Sequence, residues 1–151
     1  MAVNQELKEI LLNSIPQKPP FRFIDDIIEI SDDYVVGKYT YKKDEFFYAG
    51  HFPSKPITPG VIILETMAQT GVVALGIYLE YKKGNPIDKI TLFTEAQVEF
   101  LNTVLPEETV FIHGKLIYYR KNKIKTSVEV KKEDGTMVAT GELAGVGVIK
   151  N

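Results

Sequence analysis

The 151-residue chain contains no cysteine, which excludes disulfides, thiolate metal centres and a cysteine nucleophile. It has only two histidines, His51 and His113, which leaves little room for a histidine-rich metal site, and no metal or cofactor is called for. Neither sign of charge dominates. Eighteen Lys and Arg stand against 20 Asp and Glu, a net charge of −2, so bulk charge draws the chain neither to nucleic acid nor to an anionic membrane. The opening MAVNQELKEI is charged and has no apolar core, so no signal peptide is expected there and the cytoplasm is the expected compartment. Long hydrophobic runs are also scarce. The one segment of near-membrane length, residues 61–79, carries Glu65, Thr66, Gln69 and Thr70. An acid at the centre of a span costs about 2.5–3.5 kcal/mol on insertion scales, so a buried core helix is the better reading.

What is present suffices for one folded domain over residues 1–151: 44% of residues are hydrophobic and 25% charged. Val3, Leu7, Ile10 and Leu11 recur at helical spacing, which predicts a short amphipathic helix over residues 3–12, ended by the prolines of SIPQKPP. FRFIDDIIEI (21–30) and YVVGKYTY (34–41) read as strands around an SDD turn. Residues 45–60 form a loop, yet Phe46, Phe47, Tyr48 and Phe52 are poor choices for a solvated linker. A long helix follows, with Thr58 as expected N-cap, Pro59 at the first helical position, and Gly84 as the residue that ends it. Its apolar residues cover nearly every face, which predicts burial all round. Four strand-like stretches close the chain, with Asp134-Gly135 a hairpin signal. An antiparallel sheet wrapped around one helix accounts for this order. A second copy of the chain is expected to complete the enclosure, giving a homodimer.

The chemistry concentrates in HFPSKPITPGVIILETMAQ, residues 51–69. Gly60 and Val61 open a helix, whose first N–H groups lack helical partners and can hold an oxygen that gains negative charge. Glu65 lies four residues beyond Val61 and Gln69 four beyond Glu65, so the Gln69 amide can bond the Glu65 carboxyl. Desolvation shifts a buried carboxyl by up to about 3–5 pH units, which outweighs a helix-dipole contribution of about 0.3–1 kcal/mol and favours a protonated Glu65. His51 is a suitable base in a loop stiffened by prolines. A base, an acid and paired N–H donors suit removal of a proton next to a carbonyl with loss of a β-leaving group.

These residues carry a resemblance. GHFPSKPITPGVIILETMAQ resembles the signature of the 3-hydroxyacyl-acyl-carrier-protein dehydratases of the FabZ and FabA type. The glutamate at position 65 is similar to the FabZ branch, and PFRFIDDIIEI and VEFLNTVLPEE extend the likeness along the chain. The resemblance implies an α+β hot-dog fold and a lyase that converts a 3-hydroxyacyl chain on acyl carrier protein to the trans-2-enoyl thioester. It implies a dimer in which His51 of one subunit works with Glu65 of the other, and often a trimer of dimers. Gly60 N–H would bind the thioester carbonyl, with Val61, Ile57, Phe52, Pro59 and Gln69 around the substrate. Two departures stand out: Pro16-Gln17-Lys18 where the family usually has Pro-His-Arg, and Glu99 with Leu101-Asn102 in place of basic residues. The basic stretch YYRKNKIK suggests carrier docking through Arg120, Lys121 and Lys123, against a solvated hairpin turn. The alternative activity on this fold is an acyl thioesterase. His113 shares strand parity with Phe111 and Lys115 and reads as a half-exposed sheet residue.

Overall fold

The computed structural model describes residues 3–149. Helix α1 (Gln5–Ser14) starts two residues later than its periodicity suggests. The Asn4 side chain accepts from Leu7 N at 2.8 Å and fixes the start there. Six strands follow: β1 (Asp26–Ile30), β2 (Tyr34–Thr40), β3 (Lys89–Phe100), β4 (Thr109–Arg120), β5 (Lys123–Lys132) and β6 (Met137–Ile149). They form one antiparallel sheet in the order β1-β2-β4-β5-β6-β3. The central helix, Gly60–Lys82, lies in the concave side of this sheet. It is long and apolar enough to cross a membrane, but 72% of its most apolar window is buried inside the protein, as befits a core helix. This is the hot-dog arrangement.

Local chemistry explains the elements. In β2 and β5 burial alternates residue by residue, the period-two pattern of strands with one face on a core. Lys121 and Asn122 take positive φ (52° and 64°) in the two-residue turn between β4 and β5, which matches the twist of the strands it joins. Gly84 (φ 75°) ends the central helix as expected. The first strand is shorter than its sequence suggests. Residues 21–25 leave the sheet because Phe23 stacks edge-on with Phe21, Tyr39 and Phe47, and its N–H bonds Gln69.

Two features of the central helix differ from expectation. Pro59 is the N-cap and Gly60 the first helical residue; Thr58 does not cap, because its hydroxyl is taken by Tyr48 at 2.7 Å. The helix also passes through a π-helical segment, Gln69–Ala74, where it lies closest to the sheet. A Cβ on Gly71 would sit 2.7 Å from Val128 Cγ2, and one on Gly114 would sit 3.0 Å from the Gly71 Cα. Glycine is required on both sides of this contact. Burial is not uniform around the helix. Val61 is 72% exposed, and Leu64 and Glu65 are only partly covered. The uncovered side continues onto β3, whose outer edge is unpaired and where Leu92, Phe93 and Phe100 are exposed.

Candidate active site

The segment joining β2 to the central helix has no regular structure, but it is fastened at several points. Phe47 packs edge-on against Phe23, Phe46 and Tyr48. Tyr48 is buried, while Phe46 and Phe52 are about half exposed in the single chain. Thr58 N–H bonds the Val104 carbonyl at 2.9 Å, and buried Pro59 follows directly.

His51 and Ile57 hold each other twice. Ile57 N–H donates to the His51 carbonyl at 2.9 Å, and His51 Nδ1 lies 2.9 Å from the Ile57 carbonyl. A carbonyl only accepts, so Nδ1 carries the hydrogen. In the neutral ring this leaves the lone pair on Nε2, the form of imidazole that takes up a proton. Phe52 stacks on the ring, centroids 4.1 Å apart, across a cis His51–Phe52 peptide bond.

Glu65 is held by Gln69, as the i, i+4 spacing predicts. The fully buried Gln69 amide nitrogen donates to Glu65 Oε2 at 2.8 Å and to the Phe21 carbonyl at 3.0 Å. Its amide oxygen accepts from Phe23 N at 2.6 Å. Gln69 is thus tied to the chain before β1 and cannot turn without breaking those bonds. Burial pushes the Glu65 carboxyl above its ordinary value, and the Gln69 bond opposes this only in part. Glu65 faces a cavity that it shares with Gln17, Ala68, Val72, Thr91 and Phe93.

At the helix start, the Pro59 carbonyl accepts from the N–H groups of both Ile62 and Ile63. Those of Gly60 and Val61 have no acceptor among the described residues. The Phe100 ring lies over Gly60, 3.5 Å from where a Cβ would stand.

The chain therefore brings Glu65 to Gln69, and His51 to Ile57 and Phe52. Among the described residues no hydrogen bond joins His51 to Glu65. The basic turn lies elsewhere. Tyr119, next to Arg120, hydrogen-bonds Glu80, and Asn122 accepts from Lys89, which pairs with Glu80. Glu80 is twenty residues past Gly60 (80 − 60), about 30 Å along the helix at 1.5 Å per residue. Lys123 is paired with Glu95 at 3.0 Å and Arg120 lies on the Tyr118 ring, while Lys121 is exposed. His113 is exposed on β4. Gln17 was not among the expected site residues. The only signal in the sequence was its departure from the usual Pro-His-Arg.

Comparison with known proteins shows the family and the fold. The family described as "FabA-like domain" matches residues 15–142. The 3-hydroxyacyl-[acyl-carrier-protein] dehydratase FabZ of Acetivibrio thermocellus is 36% identical over 145 residues, covering 95% of this chain and 92% of the relative. FabZ of Caldicellulosiruptor bescii is 37% identical, covering 88% and 92%. Among solved structures, the dehydratase heterocomplex ApeI:P of Xenorhabdus doucetiae superposes with a TM-score of 0.75 at 18% identity, covering 93% of this chain and 91% of that one. A hypothetical thioesterase with coenzyme A from Streptococcus pneumoniae superposes at 0.62 with 12% identity, covering 83% and 87%. The last two likenesses concern the fold alone. By the family match and by identity over nearly the whole length of its relatives, the chain belongs to the FabA-like family.

Proposed function

We propose that this protein dehydrates 3-hydroxyacyl groups carried on acyl carrier protein, with His51 as base and Glu65 as acid. His51 Nε2 takes the proton from the carbon next to the thioester carbonyl. Negative charge moves to the carbonyl oxygen, where the N–H groups of Gly60 and Val61 hold it. The bond from the β-carbon to its hydroxyl oxygen breaks as Glu65 donates its proton to that oxygen. Water leaves, and the product is the trans-2-enoyl thioester. The observation that carries this reading is geometric: an imidazole held by its Nδ1 with Nε2 free, and a carboxyl oriented by Gln69 beside a cavity, which burial pushes toward its protonated form.

The catalytic pair is completed between two chains: His51 of one subunit serves Glu65 of the other. Exposed Val61 and the exposed apolar residues of β3 support a homodimer on this side. A long apolar edge strand is a template for pairing with another chain. Three such dimers make the hexamer that the resemblance implies, which sedimentation would count. A carrier-borne substrate supports a cytoplasmic site of action, beside the carrier. Because thioesterases share this fold, the decisive experiment offers purified protein a panel of carrier-linked 3-hydroxyacyl chains. Enoyl product by mass spectrometry without release of free carrier thiol is expected. Free thiol with no enoyl product overturns the reading in favour of hydrolysis.

A further inference from the structure

Phe46, Phe47 and Tyr48 share ring contacts with one another, and through Phe21 and Phe23 they join a larger aromatic cluster. Phe52 stands apart from it. Its ring is about half exposed, and among the described residues its single ring contact is the His51 imidazole. Burial of apolar surface therefore does not explain why these two rings meet. The contact is nonetheless well defined. The centroids are 4.1 Å apart and the planes 22° from parallel, so the rings lie face to face.

Hydrogen bonds hold both partners in place. His51 N–H donates to the Tyr48 carbonyl at 3.3 Å, and the His51 carbonyl accepts from Ile57 N–H at 2.9 Å. Phe52 and Lys55 exchange two backbone bonds, at 3.1 and 3.0 Å. The edge of the imidazole is fixed by Nδ1–H on the Ile57 carbonyl, and no carboxylate pairs with the ring among the described residues. When Nε2 takes a proton the whole ring becomes cationic. To that charge this chain offers a neutral carbonyl at the ring's edge and an aromatic face against its plane. An aromatic face is the negative side of the ring's quadrupole and attracts a cation within about 6 Å of its centroid, a limit the observed separation meets easily. Neutral imidazole gains much less. The attraction thus grows as the proton is transferred, which is the condition for accelerating the step.

We infer that Phe52 is a positioning residue whose ring face stabilises the positive charge that His51 acquires when it takes the substrate's α-proton. The inference rests on the dehydratase reading. The proton passes from the α-carbon to His51 Nε2, and the electron pair of the broken carbon–hydrogen bond moves into the substrate. Phe52 forms and breaks no bond. Its effect follows the electron density of its ring, whereas a residue that only lines the substrate path acts through its size and apolarity.

The test varies that density at nearly constant shape. Full-length protein carrying pentafluorophenylalanine in place of Phe52 keeps a ring of similar size whose face is no longer negative. Single-turnover formation of enoyl product from a carrier-linked 3-hydroxyacyl chain should slow by about threefold to thirtyfold, the span for a cation on an exposed to a desolvated ring. A difluorinated ring should fall between, and substrate affinity should change less than the rate. A pentafluoro protein within about twofold of the parent rate overturns the inference. Phe52→Trp and Phe52→Leu give a second reading with natural residues, with Tm recorded to show that both fold. The indole face is the strongest of the aromatic side chains, so Phe52→Trp should be at least about threefold faster than Phe52→Leu. A leucine protein as fast as the tryptophan one also overturns the inference. Should the parent protein itself form no enoyl product, the dehydratase reading fails first; a working parent whose rate ignores fluorination sinks only the role of Phe52.

Discussion

The central helix has two sides built from similar residues and used in opposite ways. Toward the sheet, Thr66, Met67, Thr70 and Gly71 are buried, and the backbone approaches β4 so closely that only glycines fit. Away from it, Val61, Leu64 and Glu65 are left wholly or partly open. Composition does not separate these sides. What separates them is whether this chain supplies the covering layer. The sheet-facing side fixes where the helix sits, and the open side is thereby free to carry a site.

The sharpest break of this contrast is at the proposed catalytic pair, His51 and Glu65. His51→Ala and Glu65→Gln should each lower kcat about 10²-fold or more while the fold persists. Mixing the two variants and letting subunits exchange should recover part of the activity, since one site of a mixed dimer has both an intact His51 and an intact Glu65. Mixed dimers, verified by tag capture, that show no recovery would refute sharing of the site between chains.

The two helix sides can then be loaded in turn. Gly71→Val forces a methyl group against Val128 and should cost about 1–3 kcal/mol, seen as a Tm lower by roughly 3–10 °C. Val61→Asp on the open side should leave the fold intact, because an acid suits a helix N-terminus, yet shift sedimentation toward monomer.

A smaller effect separates stability from activity at Glu65. Folding raises this carboxyl above 4.5, so between the unfolded and folded values the native state binds more protons than the unfolded one. Stability therefore falls as pH rises through that window. Glu65→Gln abolishes the decline, so at neutral pH its Tm should exceed the parent's, with the gap closing in acid. Smallest of all, Arg120→Glu or Lys121→Glu should weaken carrier affinity a few-fold at low salt and hardly at all at high salt, as for any exposed charge.

Much of this was legible in the sequence, where local chemistry decides. The β4–β5 and β5–β6 turns, the Gly84 stop and the Glu65–Gln69 pairing depend on residues close together in the chain. Errors arose where distant contacts overrule local preference. Thr58 has the right side chain for a cap, but Tyr48 claims its hydroxyl. Phe21 and Phe23 have strand character, but an aromatic cluster and Gln69 draw them out of the sheet. Within one chain the sheet covers only one side of the helix and Val61 stays exposed, so burial all round depends on the expected second copy. The π-helical segment could not be foreseen, since it lies where Gly71 of the helix meets Gly114 of β4, two residues far apart in the sequence. Gln17 stood out only by its departure from the usual Pro-His-Arg, and nothing in its neighbours reveals that it borders the Glu65 cavity.

The double tether between His51 and Ile57 has a stereochemical consequence. The imidazole cannot swivel to a second orientation without giving up its bond to Ile57, so a proton arrives and departs by the same nitrogen and from the same direction. Run backwards in heavy water, hydration of an enoyl chain would therefore place deuterium on a single face of the α-carbon.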